Sequence, residues 1–320
     1  MKNVELFIQD ADKIYAPVIE DTITWETSRK GEPGKLTFSV LKDDIIDFYE
    51  GGQVMFKYGG DKIFYGFVFE KKRDKDKVIE VTAYDQLRYL KNKDTINYAD
   101  TSADELIRMI AGDFRLHAGE LDSTGYKIYS RKEDNKTLFD IIQTALDETL
   151  QNTGKLFVLY DDYGKLTLKN VEDMKLNLLI NEQTGENFDY TSSIDGDTYN
   201  KIKLVYENDQ TNQRQTFTVQ DSANINQWGV LQYFDKIQTQ SIGVAKANAL
   251  LQLYDRKTRN LSISGAIGDT SVRAGSSVVV NLDLGDMEVK NFMLVEKVKH
   301  SFTASEHRMD LTLRGGDFIA

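Results

Sequence analysis

Residues 51–85 read GGQVMFKYGGDKIFYGFVFEKKRDKDKVIEVTAYD, and residues 275–313 read GSSVVVNLDLGDMEVKNFMLVEKVKHSFTASEHRMDLTL. Each stretch opens on glycine and soon enters an alternating strand, through Val54, Phe56 and Tyr58 in the first and Val278, Val280 and Leu282 in the second. Alternation of this kind is the period of a half-buried strand. Each then turns through Gly/Asp and runs into a second apolar strand ending at Val68 or Val298. A charged turn leads to a third strand, through Ile79 and Val81 or Met309 and Leu311. The step from Val68 to Val81 equals that from Val298 to Leu311, which sets Val68 against Val298. Only the first hairpins differ in length, as hairpin loops tolerate. A β module duplicated within one chain presents one kind of surface twice, which bears on assembly geometry more than on chemistry.

The 320 residues leave room for about two domains, and 40% hydrophobic content suffices for ordinary cores. The 16 Tyr and 16 Phe favour strands and interfaces. Without cysteine, disulfides and thiolate metal sites are excluded. The N-terminal MKNVELFIQDADKIY lacks a signal-peptide core, and no apolar run reaches the roughly 20 residues needed to span a bilayer, so a soluble protein without membrane partners is expected. The net charge of −11 argues against binding of the nucleic-acid backbone, which requires Lys and Arg to displace counterions. It is compatible with a solubility charge or with a surface past which nucleic acid slides.

Residues 1–95 are expected to form a first β module. Val4, Leu6 and Ile8 alternate, as do Ile23 with Trp25 and Leu36, Phe38 with Val40, and the turn Arg29–Gly34 separates the last two sets. A short helical turn over 83–92 closes the module, with Asp85 and Arg88 spaced to pair on one face. Residues 96–185 read as an α+β insertion. Ser102 and Glu105 make a capping box ahead of the stripe Leu106, Ile107, Ile110 and Phe114. A second helix opens at Thr137 with Leu138, Ile141, Ile142, Ala145 and Leu146 and stops at Gly154; a hairpin turning at Asp161–Gly164 follows. Residues 186–320 return to β. They include strands around Ile202 and Phe217, an aromatic, irregular stretch NINQWGVLQYFDKI, one helix through Ala247, Leu250, Leu251 and Tyr254, and the second copy of the module. The fold class is therefore mainly β with an α+β insertion.

A search for catalytic chemistry finds no supporting motif. His117, His300 and His307 are the only histidines; the last two flank a turn and read as exposed hairpin residues, since a metal site there would need a further ligand and only Glu306 is at hand. No GxSxG occurs, and Asp161–Asp162 is better read as a turn than as a catalytic pair. GGDKIFYG at 59–66 sits between strands and lacks the Lys-Ser/Thr ending of a phosphate loop, and Asp195–Asp197 lacks the spacing of a calcium loop. The run Glu70–Lys77 alternates in sign as a solvated turn does, and Asp43, Asp44, Asp47 and Glu50 read as a solvated loop rather than a channel lining. Trp25 and Trp228 offer no stacking platform for a sugar. No residue is assigned a catalytic, cofactor-binding or metal-binding role.

Several runs carry a family resemblance: GEPGKLTFSV, EGGQVMFKYGGDKIFYGFVFE, VTAYDQLRYLKNKDT, TLFDIIQTAL, LYDDYGKLTLKNVEDM, DGDTYNKIKLVY, VRAGSSVVVNLD and HRMDLTL. Together they resemble the baseplate hub proteins of contractile phage tails, of the XkdQ/YqbQ-like prophage kind, over essentially the whole chain. The resemblance implies two tail-tube-like barrel modules per chain and a homotrimer whose six modules join a six-fold tube to a three-fold spike. It implies partners among the tail tube protein, the central spike protein and other baseplate proteins, with the tape-measure protein or DNA passing through. It implies no enzymatic activity and no cofactor. It places the protein in the tail of a virion or of a headless phage-tail-like bacteriocin particle, assembled in the host cytoplasm. On this reading Gly275–Leu313 should superpose on Gly52–Ala83, in barrels related by roughly a sixth of a turn. Two other readings are a cell-wall hydrolase of the tail and a type VI secretion-like spike hub. The latter normally continues into a long β-helical spike, whereas this sequence stops at RGGDFIA.

Overall fold

A computed structural model describes residues 3–43, 45–73, 75, 77–208, 213–237, 240–283 and 288–315. Asp44, Asp74, Asp76, the Gly285–Asp286 turn and the terminal GDFIA therefore lie outside the described residues. The chain is mainly β. Its first seven strands are β1 (Val4–Asp10), β2 (Lys13–Tyr15), β3 (Ile19–Ser28), β4 (Lys35–Leu41), β5 (Gln53–Tyr58), β6 (Asp61–Arg73) and β7 (Val78–Tyr84). The alternating positions Leu6, Ile8, Ile23, Trp25, Leu36, Phe38, Val40, Val54 and Phe56 all turn to one buried core. A 3₁₀ turn over Gln86–Lys91 closes this part, capped by the Asp85 carboxylate, which accepts from Leu87 N at 3.0 Å.

A second core follows. It is built by β8 (Lys93–Thr101), α1 (Ala103–Asp113), β9 (Ala118–Leu121), β10 (Ile128–Thr137), α2 (Leu138–Thr153), β11 (Phe157–Asp161) and β12 (Leu166–Asn170). Helix α1 starts on the expected capping box, with Ser102 N donating to the Glu105 carboxylate at 2.9 Å. Helix α2 starts on Thr137, whose hydroxyl accepts from Asp140 N, and ends on Gly154 in the left-handed region at φ 71°. The apolar stripes named from the sequence pack against each other, Leu106, Ile107 and Ile110 on Leu138, Ile141 and Ile142.

The chain then supplies β13 (Lys175–Ile180) and β14 (Asn187–Ser193), leaves for a small unit, and returns. The small unit holds β15 (Lys201–Asn208), β16 (Gln213–Gln220), α3 (Ser222–Trp228), β17 (Gln232–Ile237) and α4 (Gly243–Tyr254) around its own core of Ile202, Leu204, Ile237, Ala247 and Leu250. The stretch expected to be irregular is thus a helix followed by a strand. Asp221 caps the helix by accepting from Ala223 N and Asn224 N, Gly229 ends it, and β17 pairs in parallel with β15. The last strands are β18 (Thr258–Ile267), β19 (Ser277–Asp283), β20 (Glu288–Phe302) and β21 (His307–Gly315). They share a core with Ile180 from β13, which pairs in parallel with β19.

The duplication is present in the sheet, and it is larger than the quoted repeat. Strands β5-β6-β7 and β19-β20-β21 are both antiparallel meanders. The two middle strands share a bulge at the corresponding place, after Val68 where it faces Ala83 and after Val295 where it faces Leu313. Gly51 N donates to Val68 O and Val68 N to Gly52 O; Gly275 N donates to Val295 O and Val295 N to Ser276 O, each at 2.8 Å. The two glycines hold this turn at φ 94° and 95°, where a Cβ is strained. Val68 therefore corresponds to Val295, not to Val298 as equal spacing implied. The outer hairpin of the second copy is three residues longer, pairing as far as Phe302 with His307. The match extends outward: β4 beside β7 corresponds to β18 beside β21, and β3 beside β4 to β14 beside β18, with Trp25 in the place of Tyr190. The small unit of β15–α4 thus occupies the place that the Arg29–Gly34 turn holds in the first copy.

Gly66 marks where this sheet is tightest. A Cβ there would lie 2.3 Å from Tyr84 O and 2.5 Å from the Phe64 ring. The carbonyl belongs to the neighbouring strand and cannot swing aside, so Gly66→Ala is expected to cost about 1–3 kcal/mol as an overpacked site. Chemical denaturation checks it, with Gly112→Ala, an open site of ordinary φ, as the comparison for the loss of glycine's freedom alone.

Candidate functional site

The two modules meet through one strand. The first half of β20 pairs with β19, while its second half lies between β21 and β3. Lys297 faces Ser28, Lys299 faces Glu26, His300 faces Trp25 and Phe302 faces Ile23, so one sheet runs without interruption from β14 through β18, β21, β20, β3, β4 and β7 to β6. Phe302 belongs to the second module by sequence but is buried in the first module's core, with its ring 5.0 Å from Phe56 and 4.9 Å from Tyr58. Arg29 reinforces the seam from the end of β3. Its guanidinium donates twice to the Glu296 carboxylate, at 2.9 and 2.8 Å, and its amide donates to Glu296 O at 2.9 Å. Such a two-pronged pair fixes orientation as well as distance.

His300 and His307 are not exposed hairpin residues. His300 is fully buried and His307 nearly so. They sit at the seam because β20 and β21 continue past the register that the repeat suggested, carrying both rings under Trp25 and Tyr58. His300 Nε2 lies 2.9 Å from Val272 O, an acceptor, so this nitrogen carries the proton, and Nδ1 accepts from His307 Nε2 at 2.9 Å. Burial, together with the adjacent His307, pushes the His300 pKa down to about 3. Glu306 turns away and binds Arg308. Among the described residues no group of three or more His, Cys, Asp or Glu side chains is arranged to hold a metal ion.

A second polar cluster locks the α+β unit against both modules. Gln86 donates to the Asp161 carboxylate at 2.9 Å and exchanges hydrogen bonds with the His117 backbone. Arg273, in the loop before β19, donates to Asp161 O at 2.7 Å and lies 3.8 Å from the Tyr160 ring centre. Asp85 is buried and does not pair with Arg88. Its carboxylate accepts from Gly34 N at 2.9 Å, and a Cβ on Gly34 would overlap it. Burial and the nearby Asp161 raise the Asp85 carboxyl well above its usual range, and burial also raises Asp161. Asp161 does sit at the expected turn, capping Gly164 N, but its contact with Gln86 was not legible because the partner is far away in sequence.

One face of the shared sheet is buried in the two cores and the other is polar. Thr24, Glu26, Thr37, Ser39, Glu80 and Thr82 alternate with the first core, and Ser262, Ser264, Lys297, Lys299, Asp310 and Thr312 with the second. Part of this face forms a shallow hollow of about 250 Å³ lined by residues of β3, β18, β20 and β21. Both signs of charge occur on it, and Lys35 pairs with Glu26 at 2.8 Å, so the chain's acidic excess is not gathered there. Asp43, Asp47 and Glu50 lie off the sheet on an exposed loop. Asp43 caps the amides of Ile45 and Ile46, which lower its pKa, and Glu50 lies 3.6 Å from Lys71.

This architecture is that of phage tail proteins. The 43 kDa tail protein of prophage MuSo2 from Shewanella oneidensis superposes with a TM-score of 0.70 at 14% identity, over 99% of this chain and 100% of its own. The Escherichia coli c3393 protein is described as a component of the type VI secretion system with structural similarity to the T4 tail proteins gp27 and gp5; it superposes with a TM-score of 0.57 at 11% identity, over 97% of this chain and 76% of its own. The chain itself belongs to the YqbQ-like family, whose model matches residues 23–314. It is 30% identical to the phage-like element PBSX protein XkdQ of Bacillus subtilis, over 96% of each sequence.

Proposed function

We propose that this protein is a structural hub of a phage-type tail baseplate. Three copies would form a ring of six similar modules that joins a six-fold tail tube to a three-fold spike. Residues 1–95 and 186–320, the latter joined by β13, would carry the two tube-like modules, and the rest of residues 96–185 the α+β unit between them. The observation that carries this reading is the duplicated five-strand pattern, matched down to the bulge and the left-handed glycine, with the two copies joined in one sheet. Three copies of a two-module chain give six related surfaces on one side and three on the other. Membership of the YqbQ-like family and the likeness to the phage-like element PBSX protein XkdQ support the setting, a tail or phage-tail-like particle assembled from chains made in the host. The polar face of the sheet, with its mixed charge, would line the channel and let tape-measure protein or DNA pass without adsorbing.

On this reading the protein acts mechanically and has no catalytic step, and the buried polar clusters serve to hold domains. Light scattering on the purified protein, alone and with its spike protein, is expected to give three chains of 36.5 kDa each. A particle that is only a dimer or a hexamer under both conditions contradicts the proposal. Zymography on bacterial cell walls tests the hydrolase alternative: clearing by the purified chain would overturn the purely structural reading.

A further inference from the structure

The junction inside the chain has a counterpart that the chain leaves open. In the first module β3 is flanked by β4 and by the second half of β20. Its equivalent in the second module, β14, is flanked by β18 and, among the described residues, by no other strand. The second half of β20 likewise has an equivalent in the first module, the end of β6 from Glu70 to Arg73. That segment pairs with β7 on one side, and among the described residues no strand pairs with its other side, since β5 covers only Asp61–Phe67 of β6. Among the described residues the chain therefore uses one acceptor edge and one donor edge internally and leaves the other of each without a neighbouring strand. Exposure agrees with this. Ile23 in β3 is 1% exposed under Phe302, whereas Phe188 at the same position of β14 is 39% exposed.

We infer that β14 of one copy pairs antiparallel with the end of β6 of a second copy, repeating between chains the junction made within each. The inference rests on the hub reading above and names the contact that closes its ring. The register follows from the internal junction. Lys299 facing Glu26 becomes Lys72 facing Thr191, and His300 facing Trp25 becomes Arg73 facing Tyr190. The chemistry transfers: the His300 and Trp25 rings stack at 4.9 Å, and a guanidinium over the Tyr190 ring is the cation–π form of that contact. An unpaired edge is otherwise a liability that invites indiscriminate strand addition, and a second copy of this chain presents a four-residue segment in the matching register, shorter than the six pairs of the internal junction.

The absence of cysteine makes the test direct. The full-length double variant Lys72→Cys/Thr191→Cys is oxidised mildly and read on a non-reducing gel, beside light scattering of the same sample. The internal pair Lys299→Cys/Glu26→Cys reports how well this pair geometry forms a disulfide, and Lys72→Cys/Asp189→Cys is the off-register comparison. Expected is conversion of most of the chain to a covalent trimer by Lys72→Cys/Thr191→Cys, at least tenfold above the off-register pair. If the sample is trimeric in solution but links no better than the off-register pair, the strand inference is overturned and the hub reading stands. If no trimer forms with or without the spike, both fall.

Discussion

Phe302→Ala is expected to cost about 3–5 kcal/mol, the range for truncating a fully buried aromatic residue. The loss should not stay in the hairpin that carries the residue. Phe302 fills the first module's core from a strand of the second, so the cavity opens beneath Ile23, Phe56 and Tyr58. Hydrogen exchange should therefore show lost protection in β3 as well as in β20 and β21. A cost below 1 kcal/mol, or exchange confined to residues near the 302–307 turn, would mean that the modules are not joined through this core.

Acidification should loosen the same seam. His300 is held neutral, with its pKa pushed down to about 3 from an ordinary 6.5. Between those values the unfolded chain binds a proton that the folded chain refuses. The His300 contribution is fully present above pH 6.5 and is lost as pH falls toward 3, at up to about 1.4 kcal/mol per pH unit and about 5 kcal/mol in all. Asp85 and Asp161 act with the opposite sign: their raised carboxyls favour the folded state as they protonate. The charged and titratable neighbours of His300 are His307, Asp269 and Arg273. Comparing wild type with His300→Asn separates the contributions, because the carboxylate part is common to both. The urea midpoint of wild type should exceed that of the variant at pH 7, and the gap should shrink steadily below pH 6. A gap independent of pH would show that His300 is not the group responsible.

Much of the fold could be read because it is written locally. Alternation placed Leu36, Phe38 and Val40 in a core, and caps at Ser102, Thr137 and Gly154 bounded the helices. The repeat was visible for the same reason, since each copy of the meander is contiguous in sequence. Its register was not, because the hairpin after β20 is longer and Val298, three residues beyond the true counterpart Val295, repeats the apolar spacing to Leu311. Contacts between distant segments left no local signal. His300 reads as an exposed hairpin residue until β3 is laid beside β20, and Asp161 reads as no more than a turn residue until Gln86 reaches it. The outer strands of the repeat were hidden by the unit inserted between β14 and β18, which separates two neighbours that a six-residue turn joins in the first copy.

On the proposed hub reading, three chains place six equivalent modules around one axis. Electron cryomicroscopy of the assembled ring, alone or on its spike, tests it most directly. Expected are six lobes of similar size at nearly equal angular spacing on the tube-facing side, three-fold symmetry overall, and a single unbroken sheet lining the channel. A ring in which the two modules of each chain lie at unequal radii, or in which the lobes number other than six, would contradict it.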